Sequence, residues 1–379
     1  MTRSRLAART GLTRSAIRAL TRELVAADLV IESAAAPLGG RGRPSPLVRA
    51  NPHGALVLAL DVAVDSLAVA LVGLGGTVID SVRIDRPRGH LSVEENVADL
   101  VELSGRVGRG RAWRQAVVAV GVAVVGVVRR TDGFVSMAPN LGWRNEPFGE
   151  RLAGGLALGV PVALANEADL GALAELHRGA AVGRRDVLYV SGEVGVGGGL
   201  IAGGQPLTGV AGYGGEIGHF PVNPVGDPCR CGATGCWETE IGERALLARA
   251  GHPPDGGRDA VDAVLREAAA GDRRALAALD EVGHWLGLGL AGLVNVLNPE
   301  LVVLGGLFGR IHPFVADTIA AALDRSALAA TRELVEVVPA RLGLDASLLG
   351  AAELAFEPLL SDPAAHLGPN GGFVNLASA

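Results

Sequence analysis

The chain has 379 residues, of which 49% are hydrophobic and 20% are charged, a composition that supports a large buried core. No apolar run reaches the roughly 18 residues of a membrane span without a glycine or a charge, and no apolar signal region follows the basic start, so we expect a cytoplasmic protein of two or three domains. The net charge of −6 is uneven, because residues 1–50 hold nine arginines against three acidic residues, and this segment is therefore expected to bind nucleic acid.

The first 50 residues predict a winged helix-turn-helix. A short helix over residues 4–10 ends at Gly11, and Thr13 is a good N-cap for a second helix that reaches about Ala27. Apolar residues at helical spacing give the second helix an inward face, formed by Ile17, Leu20 and Leu24. The wing is predicted from a strand at 29–32, a turn at 39–46 and a returning strand at 47–49.

An α/β pattern follows a short hinge predicted at residues 51–54. The first part has strands at 56–60, 67–72 and 78–84, a helix near 93–107, and strands at 116–125 and 160–165. The strand-rich opening then recurs, with strands at 186–191, 198–202 and 301–304 and helices near 259–270 and 275–297. We predict an α/β protein with two lobes, followed by a loose tail at residues 361–379.

All three cysteines of the chain fall within eight positions. They are Cys229, Cys231 and Cys236, and His219 lies just upstream. Three thiolates and one imidazole are the ligand set of a closed tetrahedral zinc site. The alternative, three buried free cysteines, gives no reason for the clustering. Cysteines used as metal ligands instead of disulfides also suit a reducing cytoplasm.

This segment resembles the signature of the ROK family, which comprises repressors, open reading frames and sugar kinases. The family carries Glu-x-Gly-His followed by Cys-x-Cys-Gly-x-x-Gly-Cys-x-Glu, and residues 216–219 and 229–238 meet every fixed position. The resemblance extends from about residue 3 to about residue 357. It implies a winged helix-turn-helix at 1–50, an actin-like lobe at 55–165 with a helix near 345–358, and a second actin-like lobe with a structural zinc at 166–344.

The resemblance also implies a pocket for a monosaccharide. Asn140 lies in Ala-Pro-Asn-Leu, which is similar to the family's sugar-contact loop; Glu216 and His219 belong to the first motif, and Glu238 ends the second. Carboxylates and amides suit this task because sugar hydroxyls are paired donors and acceptors that are costly to bury unpaired. Taken singly, the same residues would be interpreted as surface carboxylates and a turn residue.

Three departures from the family's kinases argue against phosphoryl transfer. Glu167 stands where the kinases have a catalytic Asp, and its extra methylene moves the carboxylate by about an ångström, which can cost roughly a hundredfold in rate. Residues 61–65 read Asp-Val-Ala-Val-Asp and lack the glycines of the family's first phosphate loop. The second loop, at 192–197, gains the acidic Glu193, so its glycines are interpreted as turn residues alone.

Glu167 is therefore expected to hydrogen-bond a sugar hydroxyl, as in the sugar-sensing repressors of the family. Asp169 is expected to point elsewhere and not to replace it. Asp65 places a negative charge where phosphates would lie, and we expect it to repel them. Gly305 and Gly306 look like the family's adenosine-side loop, which would then be a relic.

Five residues are predicted to contact DNA. Arg14, Ser15 and Arg18 lie on the outward side of the second helix near its start, where they suit base edges and phosphates in the major groove. Arg41 and Arg43 lie in the wing and suit a narrow A·T-rich minor groove. Without the adjoining helix-turn-helix, the wing would be interpreted as an exposed basic loop.

The family's winged domain begins with a further helix that has no counterpart ahead of residue 4 in this sequence. We therefore expect either a start placed downstream of the true one or a truncated DNA module. In that case Leu6, Ile17 and Leu20 would be exposed.

These interpretations combine into a sugar-responsive ROK-type regulator, a repressor without kinase activity. Its predicted partners are operator DNA, a monosaccharide or sugar-phosphate effector, and a second copy in a homodimer or homotetramer. One alternative is an ATP-dependent sugar kinase similar to glucokinase. Another is a degenerate sugar-binding protein that no longer holds DNA.

Overall fold

The computed structural model describes residues 1–33, 45–89, 91–108 and 113–366. Its strands are β1 (Val30–Ser33), β2 (Leu47–Ala50), β3 (Leu56–Val62), β4 (Ser66–Gly73), β5 (Thr77–Asp85), β6 (Val117–Val124), β7 (Val127–Arg129), β8 (Phe134–Ala138), β9 (Trp143–Glu146), β10 (Val162–Asn166), β11 (Val187–Gly192), β12 (Val196–Ala202), β13 (Gln205–Pro206), β14 (Leu301–Gly305) and β15 (Glu336–Pro339). Its helices are α1 (Arg3–Thr10), α2 (Arg14–Ala26), α3 (Val93–Arg106), α4 (Trp113–Ala116), α5 (Phe148–Leu156), α6 (Glu167–Arg178), α7 (Trp237–Ile241), α8 (Glu243–Ala250), α9 (Gly257–Ala269), α10 (Arg273–Leu297), α11 (Gly306–Ser326), α12 (Ala329–Arg332), α13 (Ala346–Ser361) and α14 (Pro363–His366).

The amino-terminal module consists of α1, α2 and the antiparallel pair β1–β2. Thr13 caps α2 as predicted, because its hydroxyl accepts a hydrogen bond from the Ala16 N–H at 3.2 Å. Gly11 ends α1 in the left-handed conformation, at φ 71°. Most of the turn predicted at 39–46 lies outside the described residues.

The inward face of α2 is narrower than predicted. Ile17 is 6% exposed and Leu24 is half-buried, whereas Leu20 is 46% exposed. Leu20 therefore does not pack inward, because the described residues leave its side of α2 uncovered. The expectation that Ile17 would be exposed is also wrong, since α1 packs against α2; Leu6 is half-buried.

A packed junction joins the amino-terminal module to the rest of the chain, where we predicted a hinge. The buried Asn51 side chain donates from Nδ2 to the backbone carbonyl of Asp28 at 2.9 Å and to its carboxylate at 2.8 Å. Gly54 lies so close to Asp28 that a Cβ there would be 1.8 Å from its carbonyl oxygen. Ala27 and Leu29 belong to one apolar cluster with the interior of β3 and α13. The hinge prediction is wrong because the elements on both sides of this segment share one hydrophobic core.

Two five-stranded sheets form the body of the protein. The first has the order β10-β6-β3-β4-β5, and the second has the order β13-β12-β11-β14-β15. In the first, β3 pairs antiparallel with β4 and parallel with β6; in the second, β11 pairs antiparallel with β12 and parallel with β14. The predicted recurrence of an α/β unit is therefore confirmed. We call the parts built on these sheets the first lobe and the second lobe.

Each sheet has a hairpin whose turn faces the other lobe. The first hairpin turn, residues 63–65, joins β3 to β4, and the second hairpin turn, residues 193–195, joins β11 to β12. Both turns line the same cavity. The two lobes therefore place equivalent loops opposite one another.

Several elements of the body were not predicted. The short strands β7, β8 and β9 form a three-stranded antiparallel sheet between β6 and α5, and strands of three to five residues carry little periodicity. Helix α6 was missed because eight of its twelve residues are buried, which removes the polar face that marks a surface helix.

Helix α13 packs on the first sheet and against α6, at two close contacts between backbones. A Cβ at Gly121 would be 1.9 Å from the Ala351 carbonyl oxygen, and one at Gly350 would be 1.9 Å from that of Leu170.

The tail predicted at 361–379 includes α14, and residues 367–379 lie outside the described part. In the described part of the chain, no helix combines the length and the apolarity needed to cross a membrane.

Candidate functional site

A cavity lies between the two lobes and has two distinct ends. We call the end formed by residues 216–238 the metal end, and the end formed by the two hairpin turns the hairpin end. Its charged and polar lining includes Asp61, Asp65, Arg83, Asn140, Asn166, Glu167, Glu193, Glu216, His219, Arg230, Cys231, Glu238 and Arg258. All five residues predicted to bind sugar are therefore brought to one cavity.

The metal end brings the four predicted ligands together. The ligand atoms of His219, Cys229, Cys231 and Cys236 all lie within 4.8 Å of one another. The Sγ atoms of Cys231 and Cys236 are 3.6 Å apart, and Cys229 Sγ is 3.6 Å from His219 Nδ1. Ligands about 2.3 Å from a tetrahedral ion are about 3.7 Å from each other. These separations fit a single four-coordinate metal ion.

A tight loop makes this approach possible. The N–H of Cys229 donates to the Ala233 carbonyl at 2.8 Å, which closes the turn between the first two cysteines and the third. Gly235 has a φ of 71°, and a Cβ there would be 1.6 Å from the Asn223 carbonyl oxygen, so only glycine fits. Trp237 follows directly and is fully buried, which anchors the loop in the core of the second lobe.

The predicted sugar-binding residues lie directly against the ligand cluster. The Glu238 carboxylate is 2.9 Å from Cys229 Sγ, and Glu216 lies at the start of the short 3₁₀ segment that carries His219. Asn140, in the turn between β8 and β9, reaches across from the first lobe and accepts a hydrogen bond from Arg230 at 2.6 Å. A metal in the cluster would thus fix the positions of the side chains around it.

Gly195 keeps the space between two of these residues open. A Cβ at Gly195 would be 3.3 Å from Glu238 Oε2 and 3.4 Å from Asn140 Nδ2. The interpretation that the glycines of this loop serve the turn alone stays a prediction. A side chain at Gly195 would crowd two of the predicted sugar-binding residues, so the glycine also leaves space beside them.

Glu167 lies between the two ends, at the first residue of α6. The Asn166 side chain caps this helix by accepting a hydrogen bond from the Ala168 N–H at 2.7 Å. Burial raises the pKa of Glu167 well above its usual range, and the carboxylates of Glu216 and Asp61 raise it further. Its Oε2 atom is buried and has no hydrogen-bond partner among the described residues. That oxygen could accept a hydrogen bond from a ligand hydroxyl.

Asp169 points elsewhere, as predicted. It is 7% exposed and lies behind Gly215, where a Cβ would be 3.6 Å from its Oδ1. Burial raises the pKa of Asp169 to about 7, although the nearby Arg130 lowers it. Its Oδ2 is buried and has no hydrogen-bond partner in the described part of the chain.

A chain of ion pairs crosses the hairpin end. Asp65 accepts hydrogen bonds from Arg88 at 3.1 Å and from Arg258 at 3.0 Å. Arg88 also donates to Glu243 at 2.5 and 3.0 Å, and Glu193 lies 3.9 Å from Arg258. Asp65 and Arg88 belong to the first lobe and the other three residues to the second. We call this chain the cross-cavity ion pairs.

The cross-cavity ion pairs show the surroundings of Asp65, which was expected to repel phosphate. Two guanidinium groups hold its carboxylate in place. A phosphate at this end would lie beside carboxylates that already contact these arginines.

A third arginine is paired deeper in the cavity. Arg83 Nη1 lies 3.5 Å from the buried carboxylate of Asp61, and its Nη2 donates to the Leu344 carbonyl at 3.1 Å. Burial raises the pKa of Asp61, and Arg83 opposes that shift. The charge of Asp61 therefore already has a cation beside it.

The residues predicted to contact DNA lie partly within the described chain. Arg14, Ser15 and Arg18 are exposed at the start of α2, and the Ser15 hydroxyl is 2.9 Å from that of Thr13. Arg41 and Arg43 lie outside the described residues. Arg14 and Arg18 therefore give the exposed side of α2 a positive charge near its start.

Five charged residues in or beside the cavity were not predicted: Arg83, Arg230 and Arg258 line it, and Arg88 and Glu243 belong to the cross-cavity ion pairs. Arg88, Arg258 and Glu243 lie far apart in sequence and meet only in the fold. Arg230 stands between two of the predicted ligands, Cys229 and Cys231, which is a signal that could have placed it at the site.

The chain is similar to proteins of known family. The model of the ROK family matches residues 57–357. The xylose repressor of Bacillus subtilis (strain 168) is 27% identical over 361 residues, which cover 95% of this chain and 92% of the repressor. The glucokinase of Streptomyces coelicolor is 31% identical over 320 residues, which cover 80% of this chain and 98% of the glucokinase.

Solved structures show the same division. A ROK family transcriptional regulator, a homolog of the E. coli MLC protein, has a TM-score of 0.77 at 26% identity and covers 93% of this chain and 91% of its own. A ROK family glucokinase from Streptomyces griseus, in complex with glucose and AMPPNP, has a TM-score of 0.70 at 29% identity and covers 80% of this chain and 99% of its own. The match to the regulators extends into the amino-terminal module.

Proposed function

Because this chain belongs to the ROK family, we propose that it is a sugar-responsive transcriptional repressor that does not transfer phosphate. The amino-terminal module binds operator DNA, and the cavity binds a monosaccharide. One observation carries the proposal: the likeness to a xylose repressor covers 95% of the chain, whereas the likeness to a glucokinase covers 80%. A module outside the kinase-like body is what a DNA-binding regulator needs.

The cavity recognises the sugar through hydrogen bonds. Glu216, His219 and Glu238 approach it from the second lobe and Asn140 from the first. Oε2 of Glu167, which has no partner among the described residues, accepts a hydrogen bond from a sugar hydroxyl, and Glu167 does not deprotonate that hydroxyl for attack. Sugar hydroxyls pair with these groups, and leaving them unpaired would weaken binding.

The metal of the cluster is zinc in this proposal. His219, Cys229, Cys231 and Cys236 hold it, and four protein ligands leave no open position for a reacting water. The ion supplies structure: it orders the loop that carries Glu238. His219 uses Nδ1 on the metal side, so its other nitrogen is available to the sugar.

The DNA module works as one of a pair. Arg14, Ser15 and Arg18 of α2 enter the major groove, and Arg41 and Arg43 reach the minor groove. A homodimer places two such helices in successive major grooves. Sugar binding between the lobes changes the spacing of the two modules, in the cytoplasm where operator DNA is found.

A second candidate function is an ATP-dependent sugar kinase, which the 31% identity to a glucokinase favours. ATP consumption across hexoses, pentoses and N-acetylated sugars separates the two candidates, with melting temperatures measured on the same samples. For a repressor we expect melting shifts without ATP turnover. Turnover with any of these sugars would replace the repressor by the kinase.

DNA binding is tested by titrating the full chain with duplex DNA from upstream of its own gene. We expect Arg18→Ala to weaken binding roughly tenfold and to lower the salt dependence by about one ion. Arg273→Ala, at an exposed arginine of the second lobe, is the matched control. Equal affinities for both variants and the unaltered protein would remove α2 from the interface.

A further inference from the structure

We infer that the cavity accepts uncharged monosaccharides and rejects sugar phosphates and nucleotides, because acidic side chains line its hairpin end and already contact the arginines there. The sugar part of this inference rests on the proposed function. The exclusion of phosphate can be tested without any sugar. The effector predicted from the sequence was either a monosaccharide or a sugar phosphate, and the inference leaves the uncharged monosaccharide.

Acidic side chains outnumber basic ones along the cavity. Six carboxylates line it: Asp61, Asp65, Glu167, Glu193, Glu216 and Glu238. Three arginines line it, and they are Arg83, Arg230 and Arg258. Burial raises the pKa of Glu167 well above its usual range and that of Glu193 to about 7, so the lining carries less negative charge than this count of acidic groups. The exclusion of an anion therefore depends on where the carboxylates lie relative to the arginines.

Two of the three lining arginines are already paired with carboxylates. At the hairpin end, Arg258 is held by Asp65 at 3.0 Å and lies 3.9 Å from Glu193. Arg83 lies 3.5 Å from both Asp61 and Asp345. Arg258 makes both contacts through Nη2, and its buried Nε has no hydrogen-bond partner among the described residues. A phosphate that reached either guanidinium would therefore lie beside a carboxylate that the guanidinium already contacts.

Arg230 is the exception among the lining arginines. It donates to the uncharged Asn140 and has no carboxylate partner within 4 Å among the described residues. It belongs to the metal end and is exposed, so it does not neutralise an anion at the hairpin end. An anion that bound to Arg230 would enter at the metal end, and the Arg230→Ala variant tests for such binding.

Uncharged hydroxyls meet no such barrier. Glu167 offers a buried oxygen that has no partner among the described residues, and Gly195 leaves room beside Glu238 and Asn140. Specificity then comes from repelling the wrong ligand as well as from binding the right one. The carboxylates of the cross-cavity ion pairs are the groups that repel phosphate.

The first experiment measures melting temperatures of the full chain with glucose, xylose, glucose 6-phosphate and inorganic tripolyphosphate at low ionic strength. We expect an uncharged sugar to raise the melting temperature and both phosphates to leave it unchanged. A shift with glucose 6-phosphate as large as that with glucose would overturn the inference. Phosphate binding that disappears in Arg230→Ala would also overturn it and would assign anion recognition to the metal end.

The second experiment removes the two acidic groups next to Arg258. In the variant Asp65→Asn with Glu193→Gln, Arg258 loses both acidic neighbours at almost constant shape. We expect its affinity for tripolyphosphate to rise at least about tenfold. Arg258→Ala, which removes the cation and keeps the acids, is the matched control and should show no gain. The two single substitutions carry the same test if the double variant does not fold.

The proposed sugar-binding function and the exclusion of phosphate can fail independently of each other. If no sugar of the panel binds, the proposed function loses its support, while the tripolyphosphate comparison still decides whether the acids exclude phosphate. If sugars bind and the double variant gains no affinity for tripolyphosphate, the inference is wrong and the proposed function stands.

Discussion

The two ends of the cavity keep different amounts of the ROK pattern. At the metal end, every fixed residue of the two motifs is present, and the four ligand atoms lie within 4.8 Å of one another. At the hairpin end, the first turn has no glycine, and the cross-cavity ion pairs connect the two lobes. Under the proposed function, the fold keeps the residues that hold the sugar and has ion pairs where a kinase would hold phosphate.

The two ends also differ in the interactions that stabilise them. The metal end is stabilised by a loop whose ligands lie within 18 positions of the sequence. The hairpin end depends on charges from distant segments that meet across the cavity. Substitutions at the two ends should therefore differ in size and in their response to salt and pH.

The largest effect is expected from Cys236→Ser. Loss of one ligand should release the metal and lower the free energy of unfolding by about 5 kcal/mol, because structural metal binding is coupled to folding. Metal content per chain and urea unfolding measure both effects. Arg230→Ala, which changes a non-ligand within the same loop, should keep the metal. A metal-free unaltered protein of equal stability would contradict this prediction.

Arg88→Ala tests the hairpin end. Glu243 is 4% exposed, and losing its partner should destabilise the protein by about 3 kcal/mol, as for other buried ion pairs that lose one member. Arg184→Ala is the matched control, because its partner Glu336 has a side chain that is 55% exposed. That control should cost less than about 1 kcal/mol. Equal costs in urea unfolding would show that the cross-cavity ion pairs contribute no more than surface ones.

Asp169→Asn tests the region between the two ends through pH. Burial raises the pKa of Asp169 from 3.8 to about 7, so the folded state binds a proton that the unfolded state releases. The contribution of Asp169 to stability is therefore highest below pH 4 and falls as the pH rises to about 7. The amide variant should gain about 2 kcal/mol relative to the unaltered protein between pH 5 and pH 8. Asp227→Asn, at an exposed site, should show no such trend, and a constant difference for Asp169→Asn would contradict the assignment.

The smallest effect is expected from Gly195→Ala, which narrows the space between the two ends. The added methyl would lie 3.3 Å from Glu238 Oε2 and should weaken sugar binding roughly tenfold, or about 1.4 kcal/mol. Stability should change little, because this glycine does not have a positive φ. Gly154→Ala, where no atom lies within 4 Å of the added Cβ, is the control. Unchanged sugar affinity would mean that the ligand does not use this space.

The same contrast explains what the sequence could predict. The metal ligands and most strands follow from local patterns, so Cys229, Cys231 and Cys236 could be grouped by their spacing alone. The partners of Asp65 could not, because Arg258 is 193 positions away and nothing in either segment points to the other. Leu20 was misplaced for a related reason: helical spacing shows which residues share a face but does not show whether another element covers it.

The packed junction at Asn51 has a consequence for how the protein unfolds and moves. Because Ala27 and Leu29 share a core with the first sheet, the amino-terminal module loses part of its hydrophobic core once that sheet melts. The module and the first lobe therefore form one cooperative unit, which predicts a single calorimetric transition for both. Because the two parts are packed together, we expect a rotation of the first lobe to carry α2 with it.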